Sequence, residues 1–332
     1  MSITLWTAAS RRIGIGHLRR TEALAKALIA AGAQPRLVFQ GEPRLAQLLQ
    51  SSGLQAVCVS DTGQALEVVA QQPGLVVSDL PGLCAEHSRH LRELGCGPLV
   101  HLTDADGLRY EADLFLDGDA LDKPHLARRL GGAEYNILRP QVLARRPVSP
   151  RGGHAVRRIL VCLGGADPGR CTERLLADWC GAAHLGLVAG PAVSLARRRA
   201  WRRCLRHGDR LFEAPADLPG LILRHDLVVT LGGITSYEAM CLGVPVAAVA
   251  WKHMRPYVRG MAAAGLLHDL GPAQDAAASL RALIRRPAAL AHRCRRAYLR
   301  VDGFGAQRCA QVILGLMACA DGSSFLEQGT ML

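Results

Sequence analysis

The chain has 332 residues, 49% apolar and only 4% aromatic, with 40 basic side chains against 28 acidic and a net charge of +12. That length suits two domains, with cores packed by Ala, Leu and Val. No apolar run reaches the ~18 residues of a membrane span, no charged-then-apolar leader opens the chain, and the eleven scattered cysteines show no CxxC and no zinc-type spacing. The expectation is a cytoplasmic protein with reduced thiols and no cofactor.

Residues 3–6 form a short apolar run that reads as a first strand. The turn Ile13-Gly14-Ile15-Gly16-His17-Leu18-Arg19-Arg20 follows, and residues 19–31 repeat apolar side chains at helical spacing. Gly14 and Gly16 let a ligand approach the backbone. The helix start offers unpaired N–H groups and a positive dipole end, and His17 can exchange a proton near neutral pH. Such turns also serve folding or binding alone, so both readings stand. The turn lacks the third glycine of the dinucleotide fingerprint, which disfavours NAD.

Further apolar runs lie at 35–39, 56–59, 75–78, 99–102 and 114–116, with a helical pattern at 87–94 among the intervening stretches. This alternation is the mark of a mostly parallel, doubly wound sheet. Asp79, Asp104, Asp106 and Asp117 fall near strand ends, where they either form turns or orient a sugar or His17.

Pro140, Pro147 and Pro150, with Gly152 and Gly153, read as a linker. The alternation then restarts at 159–163, 185–189, 210–212, 227–230 and 244–250. The expected division is 1–148, a linker at 149–156, a second domain at 157–316 and a tail at 317–332. Two similar α/β domains with a cleft between them is the simplest architecture.

Leu163-Gly164-Gly165-Ala166-Asp167-Pro168 joins a strand to a helix, as a structural tight turn or as a phosphate cradle. The run at 196–206 carries Arg197, Arg198, Arg199, Arg202, Arg203 and Arg206. It reads as a solvated helix, or as a peripheral contact with an anionic membrane surface or acidic carrier lipid. No helix-turn-helix or zinc-finger pattern accompanies the charge, so no nucleic-acid partner is expected.

In Gly232-Gly233-Ile234-Thr235-Ser236-Tyr237-Glu238 a second glycine turn opens a helix. Thr235 or Ser236 is a candidate cap. Glu238 is a capping-box partner or the acceptor for a ribose diol, with Gly232, Gly233 and the hydroxyls on a diphosphate. The phosphate-loop signature of ATPases is absent.

Taken in order, the GxGH turn, Tyr135-Asn136-Ile137-Leu138-Arg139-Pro140, the 164–168 turn, residues 232–245 and Val301-Asp302-Gly303-Phe304-Gly305-Ala306 resemble the UDP-sugar hydrolases of pseudaminic acid biosynthesis. Those enzymes act on UDP-2,4-diacetamido-2,4,6-trideoxy-β-L-altrose and are similar in fold to the GT-B transferase that adds N-acetylglucosamine to lipid I. The resemblance runs from residue 1 to about 315. It implies a GT-B-like α/β fold, two Rossmann-like domains with parallel sheets facing a central cleft, no metal, and inversion at the anomeric carbon. His17 would deprotonate the water that displaces UDP from C1. Gly164, Gly165, Gly232, Gly233, Thr235 and Ser236 would receive the diphosphate, and Glu238 the ribose. The sequence departs from the family pattern at Trp6, Ala8, Pro81, Gly118, His253 and Met254, positions around the sugar.

Three functions follow. The first is a nucleotide-sugar hydrolase. The second is a glycosyltransferase in which His17 deprotonates an acceptor hydroxyl of a glycan or lipid-linked acceptor. The third is a binder without turnover. The GxGH match favours hydrolysis, while the arginine run and the departures favour transfer.

Overall fold

A computed structural model describes residues 2–10, 15–50, 53–102, 110–121, 123, 126, 128–167 and 169–320, without the side chains of 44, 48, 50, 253 and 320. The chain divides into two compact units, 1–139 with 304 onward, and 140–303.

The first unit is a seven-stranded sheet of β1 (Ser2–Ala9), β2 (Arg36–Gly41), β3 (Ala56–Val59), β4 (Gly74–Asp79), β5 (Leu99–Leu102), β6 (Leu114–Asp117) and β7 (Arg129–Gly131). Every pairing is parallel, and the order is β3-β2-β1-β4-β5-β6-β7. Helices α1 (Gly16–Ala30), α2 (Pro43–Gln50), α3 (Thr62–Ala70) and α4 (Ala85–Glu93) connect the early strands. Buried parallel strands read as continuous apolar runs because both faces are covered. Along β1, Ile3, Leu5 and Ala9 enter one core with Leu24 and Leu28 of α1, while Trp6 and Ala8 enter the opposite core with Val69 and Leu91. The pleat produces that alternation.

The second unit begins with α5 (Pro140–Leu143). Its six strands are β8 (Arg158–Val161), β9 (His184–Ala189), β10 (Arg210–Glu213), β11 (Leu227–Thr230), β12 (Val246–Ala248) and β13 (His268–Asp269). The order is β10-β9-β8-β11-β12-β13, again all parallel. Between them run α6 (Cys171–Asp178), α7 (Leu195–Cys204), α8 (Leu218–Leu223), α9 (Ile234–Cys241) and α10 (Arg255–Ala263). After β13 come α11 (Ala276–Ile284) and α12 (Pro287–Arg300). The two sheets therefore repeat one Rossmann-like strand order, reversing direction once between β1 and β4 and once between β8 and β11. Open α/β sheets bind ligands at such reversal points, beyond the carboxyl ends of the strands.

The division differs from the one the prolines suggest. The 140–153 segment is held by the second unit. Arg146 donates to the carbonyls of Cys241, Tyr298 and Val301 at 2.7–2.8 Å and stacks 3.6 Å over the Tyr298 ring. Tyr298 Oη in turn donates to the Pro147 carbonyl at 2.6 Å. The last helix, α13 (Gly305–Ala320), returns to the first unit. Its Cys309, Ala310 and Ile313 fill the core beside α1, and Arg308 donates to the Glu134 carbonyl at 2.9 Å. Residues 304–316, expected in the second domain, thus complete the first.

Candidate functional site

In the first unit, chemistry gathers where the strand order reverses. Parallel pairing sets Thr7 of β1 opposite Asp79 at the end of β4, and the Thr7 hydroxyl donates to the Asp79 carbonyl at 3.2 Å. Helix α1 starts at Gly16 with no side-chain cap. Residues three and four apart on a helix share a face, so His17, Arg20 and Thr21 all reach the Asp79 carboxylate. His17 Nδ1 lies 2.7 Å from Oδ1. Arg20 Nε donates to Oδ2 at 2.8 Å, and its Nη2 donates to Oδ1. Thr21 Oγ1 donates to Oδ2 at 3.3 Å.

Asp79 is 1% exposed and His17 16%. Burial works against the Asp79 charge, but the Arg20 guanidinium and the His17 bond outweigh it and hold the carboxyl well below the usual carboxylate range. An ionised carboxylate only accepts hydrogen bonds. His17 therefore donates from Nδ1 to Asp79, which leaves Nε2 as the ring nitrogen for proton exchange. A carboxylate that fixes the tautomer and stabilises the imidazolium is the arrangement a general base requires.

Of the other first-half residues, Gly16 is exposed, with open space where a Cβ would lie. Gly14, Asp104 and Asp106 fall outside the described residues. Asp117 is occupied by Arg129 at 2.8 Å and Lys123 at 3.2 Å. Trp6 and Ala8 are buried core positions on β1, so they face packing on this chain. Sequence reasoning gave Arg20 and Thr21 no role. Their i+3 and i+4 spacing from His17 was the available signal.

In the second unit, the turns after β8 and β11 flank the corresponding reversal. Each turn has one glycine in the left-handed region, Gly164 at φ +82° and Gly232 at φ +87°. Each is followed by a glycine, Gly165 or Gly233, with open space where a side chain would stand. Asp167 caps α6 by accepting from the N–H groups of Cys171 at 2.9 Å and Thr172 at 3.1 Å. Gly233 is the cap residue of α9 and supplies no side chain, so Ile234 starts the helix. That start differs from the Thr235 or Ser236 cap expected. Thr235 lies half-buried in the first turn of α9. The Ser236 hydroxyl is fully buried and lies 2.7 Å from Thr230 Oγ1, which accepts from the Gly232 N–H at 3.1 Å. Ser236 thus shapes the turn from within rather than facing a ligand with its side chain. Glu238 is the fifth residue of α9 and is buried. That position excludes a capping box, which needs the third.

The arginine run is largely spent on structure. Arg197 braces the first turn, donating to the Ala166 carbonyl at 2.8 Å, to Asp167 Oδ2 at 3.0 Å and to both Glu173 oxygens at 2.6 and 2.8 Å. Arg198 and Arg202 pair with Glu213, and Arg206 donates to the carbonyls of Gly181 and Ala183. Arg199 and Arg203 remain exposed. Among the described residues no helix is long and apolar enough to cross a membrane, and no three metal-ligating side chains cluster.

Gly232→Ala is expected to destabilise the protein by about 1–3 kcal/mol, because the new methyl meets both a positive φ and Val258 Cγ2 at 2.7 Å. Urea unfolding measures it. An unchanged midpoint would show that the turn relaxes freely.

No family model matches the chain. It is 23% identical over 266 residues to the uncharacterized protein MJ1062 of Methanocaldococcus jannaschii, covering 74% of this chain and only 55% of that longer protein. It is 24% identical over 291 residues to the spore coat polysaccharide biosynthesis protein SpsG of Bacillus subtilis, covering 82% and 84%. Among solved structures it resembles Acinetobacter baumannii MurG, with a TM-score of 0.66 at 14% identity over 95% and 99% of the two chains. The UDP complex of S. aureus MnaA gives 0.66 at 13% identity over 98% of each. These likenesses, with the two parallel sheets, establish a two-domain α/β fold of the GT-B kind.

Proposed function

We propose that this protein processes nucleotide sugars, moving a glycosyl group from a nucleoside diphosphate to an acceptor hydroxyl with His17 as general base. The observation that carries the reading is the 2.7 Å bond from His17 Nδ1 to a buried, ionised Asp79 at the carboxyl end of a parallel sheet. In the proposed step, His17 Nε2 takes the acceptor proton as the acceptor oxygen forms its bond to C1. The bond from C1 to the phosphate oxygen breaks, and its electron pair leaves on the diphosphate. Backbone N–H groups of Gly164, Gly165, Gly232 and Gly233, with the Thr235 hydroxyl, receive that charge, since preorganised donors stabilise a leaving anion. Ser236 supports the turn through Thr230. Glu238 accepts from the ribose diol. Gly16 gives the acceptor room beside His17. Uridine as the base is supported by the UDP complex of MnaA among the structural neighbours. Contact with an anionic membrane surface would fall to Arg199 and Arg203.

A second reading replaces the acceptor with water. The sequence likeness of the GxGH turn to UDP-sugar hydrolases favours it, while the spinosyn rhamnosyltransferase SpnG among the structural neighbours favours transfer.

One experiment separates these outcomes. The protein is incubated with UDP-, dTDP-, GDP- and CMP-sugars, and nucleotide release is followed by NMR. Release only after an acceptor is added supports transfer, and prompt release without one supports hydrolysis. Binding without turnover under every condition would leave a carrier or sensor instead of an enzyme.

A further inference from the structure

We infer that Lys252, held over Trp251, is the cation that engages the diphosphate. The inference rests on the nucleotide-sugar reading and adds to it a charged group that the glycine turns lack.

The segment after β12 touches both turns. Thr230 at the end of β11 pairs with Ala248 at the end of β12, so the two strands release their loops side by side. Trp251 lies against the first turn: a Cβ on Gly169 would overlap its indole ring. Met254 lies at the second turn, its Cε 3.9 Å from where a Cβ on Gly232 would stand. Lys252 sits between these anchors.

Its conformation is also unusual. Lys252 has φ +42°, a region that side chains of its bulk seldom occupy. Strained residues of this kind gather at ligand clamps. Its Nζ sits 5.1 Å from the Trp251 ring centroid, within cation–π range. The indole thus holds an exposed ammonium beside two turns built from glycine.

Charge pairing sets it apart further. The chain has three lysines, Lys26, Lys123 and Lys252. Lys26 pairs with Glu22 at 2.9 Å, and Lys123 pairs with Asp119 at 2.8 Å. Among the described residues Lys252 meets no carboxylate. A lysine ammonium acts on phosphate as a compact point charge, and this one is unspent.

The test is isothermal titration of UDP, uridine and inorganic pyrophosphate into five proteins: wild type, Lys252→Ala, Lys252→Gly, Gly169→Ala and Arg199→Ala. Alanine keeps the backbone strain and removes the charge. Expected are UDP and pyrophosphate affinities lower by about tenfold or more in both Lys252 variants, with uridine unchanged. Arg199→Ala removes an exposed charge from α7 and should stay within about twofold. Glycine accepts φ +42° without strain, so Lys252→Gly should also melt higher than Lys252→Ala. Gly169→Ala, which displaces the indole, should weaken UDP as Lys252→Ala does.

UDP affinity within twofold of wild type in Lys252→Ala would overturn the assignment and leave the nucleotide-sugar reading standing. Equal losses for UDP and uridine would also overturn it, since the effect would then lie in the shape of the site rather than in charge. A wild-type protein that binds none of UDP, dTDP, GDP or CDP would remove the assignment and the broader reading together.

Discussion

His17→Ala is expected to lower turnover of a productive nucleotide sugar by about 10²–10⁴-fold, the usual contribution of a general base. Nucleotide affinity should hold, because the diphosphate contacts assigned above belong to the turns after β8 and β11. The fold should hold as well. Arg20 and Thr21 continue to bond Asp79, so the stability loss should stay near the ~1 kcal/mol of one hydrogen bond. Initial rates with the best substrate of the panel, and UDP titration of the same preparation, separate the two effects. A variant that kept more than about a tenth of the wild-type rate would remove His17 from the role of base.

Asp79→Asn should damage both stability and rate. Arg20 is 17% exposed and its partner 1%. Neutralising Asp79 strands a largely buried guanidinium, and losing one member of a buried ion pair costs about 3–5 kcal/mol. The amide also no longer fixes the His17 tautomer, so the rate should fall together with stability. The pH dependence follows from the direction of the shift. The Asp79 carboxyl is held below its ordinary range in the folded protein, so the unfolded chain takes up the proton first as pH drops. The stabilisation is complete above the unfolded value of about 3.9 and drains away as pH falls below it toward the folded value. Urea unfolding at pH 7, 5, 4 and 3 should therefore show the gap between wild type and Asp79→Asn narrowing with acid. A gap that stayed constant would mean that the Asp79 charge contributes nothing to folding.

The sequence displays what depends on local periodicity. Buried parallel strands write themselves as apolar runs, so β5 and β11 sit on the residues expected. The edge strands β7 and β13 have three and two residues, too few to form a pattern, and they surface only through pairing. The glycine turns are visible because left-handed φ at 164 and 232 requires that residue type. The role of Asp79 is not visible in the same way. It depends on β4 pairing with β1 across the excursion through β2 and β3, and four aspartates near strand ends look alike until that pairing is known. Ser236 shows the converse error. A hydroxyl three residues beyond a glycine looks like a cap, but the helix begins at Ile234, and the side chain turns inward to Thr230. The arginine run likewise advertised a surface, and tertiary contacts with Glu173 and Glu213 absorbed three of its six arginines.

The return of α13 to the first unit has a consequence for biogenesis. On the ribosome, residues 140–303 emerge whole while the earlier unit still waits for the segment bearing Cys309, Ala310 and Ile313. Domains fold as units during translation, so the unit begun first is completed last. Until then α1 lacks the packing that α13 supplies to its apolar side. The helix that carries His17 and Arg20 thus gains its full support only after residues 140–303 have been made.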